Sequence, residues 1–155
     1  MDCKLRTATA ADYGDIHRLY TELVGPGGVI SGEEGKQRFA QILSHPGTTI
    51  ICAECEGRLA AAATLHILPN MTVQGRPYAL IENVVTLQAM QGKGVGRAVM
   101  DHARDLAWAA DCYKIMLLTG REVGARAFYE KLGYTAEDKW GMTLRRAPKR
   151  RPQPS

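Results

Sequence analysis

The amino-acid sequence predicts one α/β domain built on a mixed sheet. Two apolar runs, residues 48–55 and 58–67, flank a short turn, which is typical of an antiparallel hairpin. A long apolar run over 78–87 is followed by a helical pattern and then by the apolar segment 114–118. A strand, a helix and a second strand in this order favour a parallel pair. Both kinds of strand pairing are therefore expected in the same sheet.

The N-terminal third predicts one strand and two helices. Residues 5–8 form the first candidate strand. Thr9, with Asp12 three residues later, is a helix-start signal, and apolar or aromatic residues recur at helical spacing after it. The glycine-rich residues 25–32 end this helix, and the next helical pattern covers 33–44.

The remaining elements follow the hairpin. Residues 69–77 form a loop before the third long strand. An apolar stripe at helical spacing predicts a helix directly after Gly92, Gly94 and Gly96. Residues 114–118 are expected to form a short buried strand. A helix around 124–132 ends at Gly133, a typical C-terminal cap. Residues 134–146 predict a last hairpin.

Composition indicates an ordinary globular chain. The 155 residues suit one domain, with 45% hydrophobic and 23% charged residues. No apolar run approaches the ~18 residues that cross a bilayer. The N-terminal stretch lacks the apolar segment of a secretory signal, so a cytoplasmic location is predicted and no membrane partner is expected.

The net charge of +4 is concentrated at one end of the chain. Residues 145–155 hold five of the 20 basic residues and no acidic one, which leaves 15 basic against 16 acidic residues elsewhere. Nucleic acid is therefore an unlikely partner of the folded part. Residues 147–155 predict a disordered, basic, proline-rich tail. It either keeps the protein soluble or makes a weak contact with a polyanion.

The four cysteines are predicted to be reduced thiols. Cys52 and Cys55 lie three apart in a strand-like run, so they point to opposite faces and suit neither a metal nor a local disulfide. Cys3 and Cys112 have no partner in the sequence pattern. The four histidines show no ligand spacing, and no metal is expected.

Residues 91–96 form a glycine-rich loop in front of a helix. Gly92, Gly94 and Gly96 stand where the helix should begin, with the pattern Gln-x-x-Gly-x-Gly. A helix start presents unpaired backbone N–H groups and attracts anions. The spacing fits neither a Walker loop nor the dinucleotide fingerprint. The loop predicts a phosphate site, to which Lys93 and Arg97 could add positive charge.

Two motifs in this order resemble the GNAT family of N-acetyltransferases. The first is the glycine loop after a long strand, and the second is ARAFYEKLGY at 125–134. Within the family, IENVV, DCYKIMLL and FYEKLGY look most like glucosamine-6-phosphate N-acetyltransferases and bacterial small-amine acetyltransferases. One position departs: the family often has asparagine six residues before the Phe of the FY pair, and here that residue is Glu122.

The resemblance implies a fold and a cosubstrate. The fold would be a twisted, mostly antiparallel sheet of six to seven strands with a central parallel pair and about four helices, in a domain of residues 1–146. The cosubstrate would be acetyl-CoA, the partner a small-molecule amine, and the assembly a homodimer. The glycine loop would wrap the pyrophosphate.

The resemblance also implies roles for individual residues. Glu82, unusual in an apolar strand, would be the general base, and burial would raise its pKa. Tyr129 would be the general acid beside the CoA sulfur. The alternatives are a carboxylate that pairs with an arginine or the backbone, and a packing tyrosine. The implied cofactor-binding residues are Val84, Val85, Thr86, Gln91, Gly92, Lys93, Gly94, Val95, Gly96, Arg97 and Tyr129.

The acceptor side is the least determined part of the prediction. Asn83 could orient the substrate, and Val29 and Ile30 lie in a loop expected to shape the acceptor pocket. A sugar phosphate, an aminoglycoside, a polyamine and a peptide terminus all remain open. The rival hypotheses are a CoA-binding sensor or interaction protein without catalysis, and a protein or peptide N-acetyltransferase.

Overall fold

The computed structural model describes residues 2–121 and 124–147, and those residues contain one mixed five-stranded sheet in the order β1-β2-β3-β4-β5. The first four strands pair antiparallel, and β5 pairs parallel to β4 through Ala79 with Ile115 and Leu80 with Met116. The strands are β1 Cys3–Thr7, β2 Thr48–Cys55, β3 Arg58–Leu68, β4 Tyr78–Thr86 and β5 Ile115–Met116.

Four α-helices accompany the sheet in the described residues. They are α1 Tyr13–Val24, α2 Gly32–Ser44, α3 Val95–Ala109 and α4 Arg126–Glu130. Compact units are formed by Met1–Leu117, which contains the sheet and the first three helices, and by Leu118–Ser155, which contains α4. The predicted helices after Thr9, over 33–44, after the glycines and around 124–132 are confirmed to within a few residues.

The β2–β3 hairpin is confirmed, and its turn has a local cause. Glu56 and Gly57 both have positive φ, 54° and 77°, which is the geometry of the turns that join twisted antiparallel strands. Glycine adopts this conformation without strain. The turn places β2 and the alanine-rich β3 in register, with Cys52 opposite Ala62.

Helices α1 and α2 cover one face of the sheet. Their buried residues Ile16, Leu19 and Phe39 pack into one cluster with Ile50 and Cys52 of β2. The residues between these on β2 point to the other face, where α3 packs on β2, β3 and β4. The buried stripe of α3 comprises Val95, Val99, Met100, Ala103 and Ala107.

The carboxylate of Asp12 stabilises the start of the helical region. Asp12 accepts the backbone N–H of Thr9 at 2.7 Å, which confirms the predicted start signal. Arg6 donates to both oxygens of Asp12 at 2.8 and 2.7 Å. These bonds from Arg6 lower the pKa of Asp12 to about 2, against the opposing effect of burial.

Three predictions about the sheet are wrong. No strand occurs in the described part of 134–146, because its alternating apolar residues Trp140, Met142 and Leu144 are exposed and find no partner strand. The predicted count of six to seven strands therefore falls to five in the described residues. Strand β5 contains only two residues and lies at an edge of the described sheet, so the parallel pair is neither central nor buried, and Met116 is 37% exposed.

The prediction of four reduced thiols is also wrong. Cys3 and Cys55 form a disulfide, while Cys52 and Cys112 are free and buried. The pairing follows from register, because Cys3 of β1 lies directly opposite Cys55 of β2. The side chain of Cys52 points to the face of the sheet opposite that of Cys55, as predicted. Burial raises the pKa of the Cys52 thiol to about 12. The predicted tail at 147–155 lies, apart from Ala147, outside the described residues, as does Glu122.

Candidate active site

A bulge interrupts β4 at the position of the candidate base. Thr64 of β3 pairs with Glu82, and Ala62 pairs with Val85, so one β3 residue faces both Asn83 and Val84. Asn83 adopts the left-handed conformation with φ of 52°, which asparagine tolerates better than most residues. A bulge leaves its extra residue outside the regular ladder of hydrogen bonds. Backbone N–H groups at this point can therefore face a ligand.

The bulge also breaks the alternation of side chains. Glu82 and Asn83 are both exposed, Val84 and Thr86 are half-buried, and Val85 is buried. The expectation that Glu82 is buried is wrong, because the strand turns this side chain outward beside the kink. Val85 belongs to the core, where its side chain packs in the cluster under α1 and α2.

The glycine loop leads from β4 into α3. Gln91 donates its side-chain N–H to the carbonyl of Thr86 at 3.2 Å, which ties the loop to the end of the strand. Gly92 and Gly94 have φ of 75° and 83°, a conformation that favours glycine. A Cβ atom at either position would have no heavy atom within 4 Å beyond its chain neighbours, so the backbone here is open on one side.

The first turn of α3 carries an uncompensated positive end. Gly94 caps the helix without a side chain, and the first turn contains no acidic residue. The first N–H groups of a helix have no intrahelical acceptor and carry a partial positive charge. Lys93 and Arg97 are exposed beside these N–H groups. Nε of Arg97 lies 3.6 Å from Oδ2 of Asp101. Buried Val95 fixes the turn to the core, and Gly96 is the second helical residue.

The other predicted residues lie elsewhere in the fold. Val29 is half-buried and Ile30 is 41% exposed on the loop between α1 and α2. Tyr129 lies on α4 in the second compact unit. Its ring makes edge contacts with Phe128 and Tyr134, at centroid distances of 5.1 and 6.0 Å.

The contact between Thr64 and Tyr20 beside Glu82 was not predicted from the sequence. Thr64, directly opposite Glu82, has its hydroxyl oxygen 3.0 Å from the phenol oxygen of Tyr20 on α1. Burial raises the pKa of Tyr20, and the bond with Thr64 opposes that rise. Pairing by register, and not spacing along the chain, brings these residues together. The polar residues Thr64 and His66 within the apolar run 58–67 were the available signal.

A second polar group extends from the same face of β3. His66 and His45 each place Nδ1 2.9 Å from the hydroxyl oxygen of Thr48. The pKa of His66 is lowered, first by burial and then by the charge of His45, while the charge of Glu82 raises it. The carboxylate of Glu82 is therefore part of the electrostatic environment of this histidine.

The described residues contain neither a metal-binding cluster nor a membrane-spanning helix. Within residues 2–121 and 124–147, no group of three or more His, Cys, Asp or Glu side chains is arranged to hold a metal ion. None of the helices in those ranges is long and apolar enough to span a membrane.

The chain is similar to proteins of known family. Residues 16–134 match the acetyltransferase (GNAT) family. A solved structure of a putative acetyltransferase from Agrobacterium tumefaciens str. C58 is 44% identical, with a TM-score of 0.87 over 92% of this chain and 99% of that one. The glucosamine-6-phosphate N-acetyltransferase crystal structure from Arabidopsis thaliana is 26% identical, with a TM-score of 0.83 over 95% of this chain and 100% of that one.

A curated relative supports the same assignment over a shorter span. The glucosamine 6-phosphate N-acetyltransferase of Trypanosoma brucei brucei is 33% identical over 92 residues, which cover 59% of this chain and 61% of that protein. The family match covers most of the chain and includes both the bulged strand and the glycine loop. The chain therefore belongs to the acetyltransferase (GNAT) family.

Proposed function

We propose that the protein is an acetyl-CoA-dependent N-acetyltransferase that acts on the primary amine of a small molecule. The single observation that carries the proposal is the start of α3. Three backbone N–H groups, on Val95, Gly96 and Arg97, have no intrahelical acceptor at the end of an open glycine loop. A diphosphate is the ligand that such a turn suits best.

The residues present fit coenzyme A at this turn. Positive φ at Gly92 and Gly94 curves the loop backbone, and the space beside both glycines is open. No acidic side chain in the first turn competes for the N–H groups. Gln91 and Val95 would shape the loop, and Lys93 and Arg97 would add charge. Thr86 would line the route from this loop to the bulge.

Bound acetyl-CoA supplies an acetyl group activated as a thioester. An amine with a pKa near 10 is a nucleophile in only ~1 molecule in 10³ at neutral pH, so a base is needed. We assign this role to Glu82, whose exposed carboxylate would take the ammonium proton directly or through water. Backbone N–H groups at Val84 and Val85 would hold the carbonyl oxygen beside the bulge. Tyr129 would donate a proton to the leaving sulfur, as the family resemblance implies.

The acceptor is proposed to be an amino sugar. Relatives from Trypanosoma brucei brucei and Arabidopsis thaliana are named as glucosamine 6-phosphate N-acetyltransferases, at 33% and 29% identity. Asn83 is exposed next to Glu82, so its amide could orient a sugar hydroxyl group. Val29 and Ile30 would provide an apolar wall on the α1–α2 loop.

A homodimer is a further part of the proposal. Trp140, Met142 and Leu144 are exposed by 88%, 90% and 103%, at alternate positions of a segment with a strand-like pattern. An unpaired segment of this kind readily pairs with a second copy of the same chain. Light scattering should give a dimer for the wild type and a monomer for Met142→Lys; a wild-type monomer would contradict this part.

Two further predictions remain open to test. The domain is proposed to comprise residues 1–146, with 147–155 as a tail. A cytoplasmic location remains a prediction, and the disulfide between Cys3 and Cys55 argues for an oxidising compartment instead.

The direct test is a panel of amines with acetyl-CoA, followed by the release of free thiol. The panel should contain glucosamine 6-phosphate, glucosamine, an aminoglycoside, a polyamine and a short peptide. We expect turnover with an amino sugar and loss of turnover in Glu82→Gln, with Glu34→Gln on the exposed side of α2 as the matched control. Absence of thiol release with every amine would refute the proposed activity.

A further inference from the structure

Two hydrogen bonds to Thr48 link His45 with His66, a diagonal neighbour of Glu82 on the sheet. Thr48, the first residue of β2, lies opposite His66 of β3. Its hydroxyl oxygen is 2.9 Å from Nδ1 of His66 and 2.9 Å from Nδ1 of His45, which follows α2. His45 is exposed and His66 is half-buried, so the chain runs inward from solvent.

The single proton of the Thr48 hydroxyl group determines which nitrogen of each histidine ring can carry a proton. A hydroxyl can donate to one Nδ1 only, so it must accept a proton donated by the other Nδ1. When both rings are neutral, His45 and His66 therefore carry their protons on different nitrogens.

The electrostatics determine the direction of the chain. Burial, followed by the charge of His45, lowers the pKa of His66, which favours the neutral form of this half-buried ring. A charged His45 donates from Nδ1 to Thr48, and Thr48 then donates to Nδ1 of His66. The remaining proton of His66 is consequently on Nε2.

Glu82 is the carboxylate whose charge acts on His66 from the neighbouring strand. On β4, Leu80 pairs with His66 and Glu82 pairs with Thr64, so His66 and Glu82 are diagonal neighbours on one face of the sheet. Long side chains reach across such a diagonal. The negative charge of Glu82 acts on His66, and the Tyr20 phenol already engages the hydroxyl of Thr64.

We propose that His66 is a positioning residue that donates its Nε2–H to the carboxylate of Glu82, with Thr48 holding the ring in place. The bond would fix one carboxylate oxygen and leave the other for the ammonium group of the acceptor. No proton is transferred along the chain in this role. The inference rests on the proposed function only for its catalytic consequence, because the hydrogen bond itself can be observed without turnover.

Nitrogen NMR of the full chain tests the bond directly, because the sequence contains only four histidines. We expect the Nε2–H form for His66 and a dependence of its titration on Glu82. In Glu82→Gln the titration midpoint of His66 should shift downward, since the carboxylate that favours the charged ring is gone. A wild-type His66 with its proton on Nδ1, or an unchanged midpoint in Glu82→Gln, would overturn the proposal.

Kinetics test the positioning role with matched variants. Thr48→Val should lower kcat by about tenfold, the effect of one hydrogen bond, and leave the KM for acetyl-CoA unchanged. Thr48→Ser should restore kcat, and Thr49→Val, the neighbouring residue on β2, should have no effect. An unchanged kcat in Thr48→Val would overturn the role of Thr48 and His66.

The two failures can be told apart. If the wild type releases no thiol with any amine but His66 keeps the Nε2–H form and its dependence on Glu82, the proposed function fails and the hydrogen bond stands. If turnover is normal but His66 shows neither the Nε2–H form nor a dependence of its titration on Glu82, the inference fails and the proposed function stands. Should Thr48→Val not fold, Thr48→Ser and Glu82→Gln still decide the question.

Discussion

Thr64 on β3 lies directly opposite Glu82 on β4, and its hydroxyl oxygen is 3.0 Å from the phenol oxygen of Tyr20. Helix α1 is thereby attached to the strand pair that carries the candidate base. The contact joins the core under the helices to the bulge, so a substitution of Tyr20 should change the free energy of unfolding.

Tyr20→Phe should lower the free energy of unfolding by about 1–2 kcal/mol, because it leaves the hydroxyl of buried Thr64 without this partner. Tyr13→Phe is the matched control on the same helix. Its phenol makes a longer, exposed bond of 3.4 Å to the carbonyl of Gly32, so a smaller loss is expected. Urea unfolding measures both. Equal losses would show that the Tyr20–Thr64 bond is not special.

The bulge depends on the left-handed backbone of Asn83. Asn83→Val should destabilise the fold by roughly 1–2 kcal/mol, since a β-branched residue is strained at a φ of 52°. Asn83→Gly should change stability by a few tenths of that amount at most. Urea unfolding of the pair separates backbone strain from loss of the amide, which is common to both. Equal stability of the two variants would argue against the left-handed conformation.

Tyr129→Phe should reduce kcat for acetyl transfer by roughly 100-fold, the contribution expected of a general acid, while coenzyme A binds as before. Tyr113→Phe, before β5, is the control and should behave as the wild type. Thiol release and calorimetry supply the two measurements. Unchanged turnover of every accepted amine, with coenzyme A still bound, would remove Tyr129 from the mechanism.

The disulfide gives a simple chemical prediction. Protein unfolded without reductant should have two alkylatable cysteines, Cys52 and Cys112, and four after reduction. Reduction should cost about 2–4 kcal/mol of stability, because the bridge closes a long loop with a sequence separation of 52. Mass spectrometry counts the alkyl groups. Four groups before reduction would restore the prediction of free thiols.

Local signals in the sequence predicted the elements that they determine. Two features were predicted correctly because each depends on neighbouring residues. They are the turn at Glu56 and Gly57 and the strand-helix-strand order around α3. The hairpin at 134–146 failed, because alternating apolar residues such as Trp140 and Met142 do not reveal whether a partner strand is available.

The site shows the same division. Glycines at 92 and 94 were recognisable because a positive φ requires them. The pairs Cys3–Cys55 and Thr64–Glu82 depend on register between strands, and the chain Thr48–His66–His45 joins three separate elements. Spacing in the sequence does not encode such pairings, so they could be found only in the fold.

The central claim is that the backbone N–H groups at the start of α3 bind the diphosphate of coenzyme A. Gly96→Asp places a carboxylate at the second residue of α3, where it would stabilise the helix but occupy the anion site. Gly14→Asp makes the same change at the second residue of α1, where a Cβ atom meets no atom of another element within 4 Å. Thermal unfolding of the two variants shows whether each is folded, and folded variants are then compared in binding alone.

The most direct measurement is calorimetric titration with coenzyme A and with pantetheine, which lacks the diphosphate. We expect coenzyme A to bind the wild type and Gly14→Asp at least about 100-fold more tightly than pantetheine, since several hydrogen bonds to a charged group are involved. Gly96→Asp should lose that difference. Equal affinity of the wild type for coenzyme A and pantetheine, or no heat with coenzyme A at all, would contradict the claim.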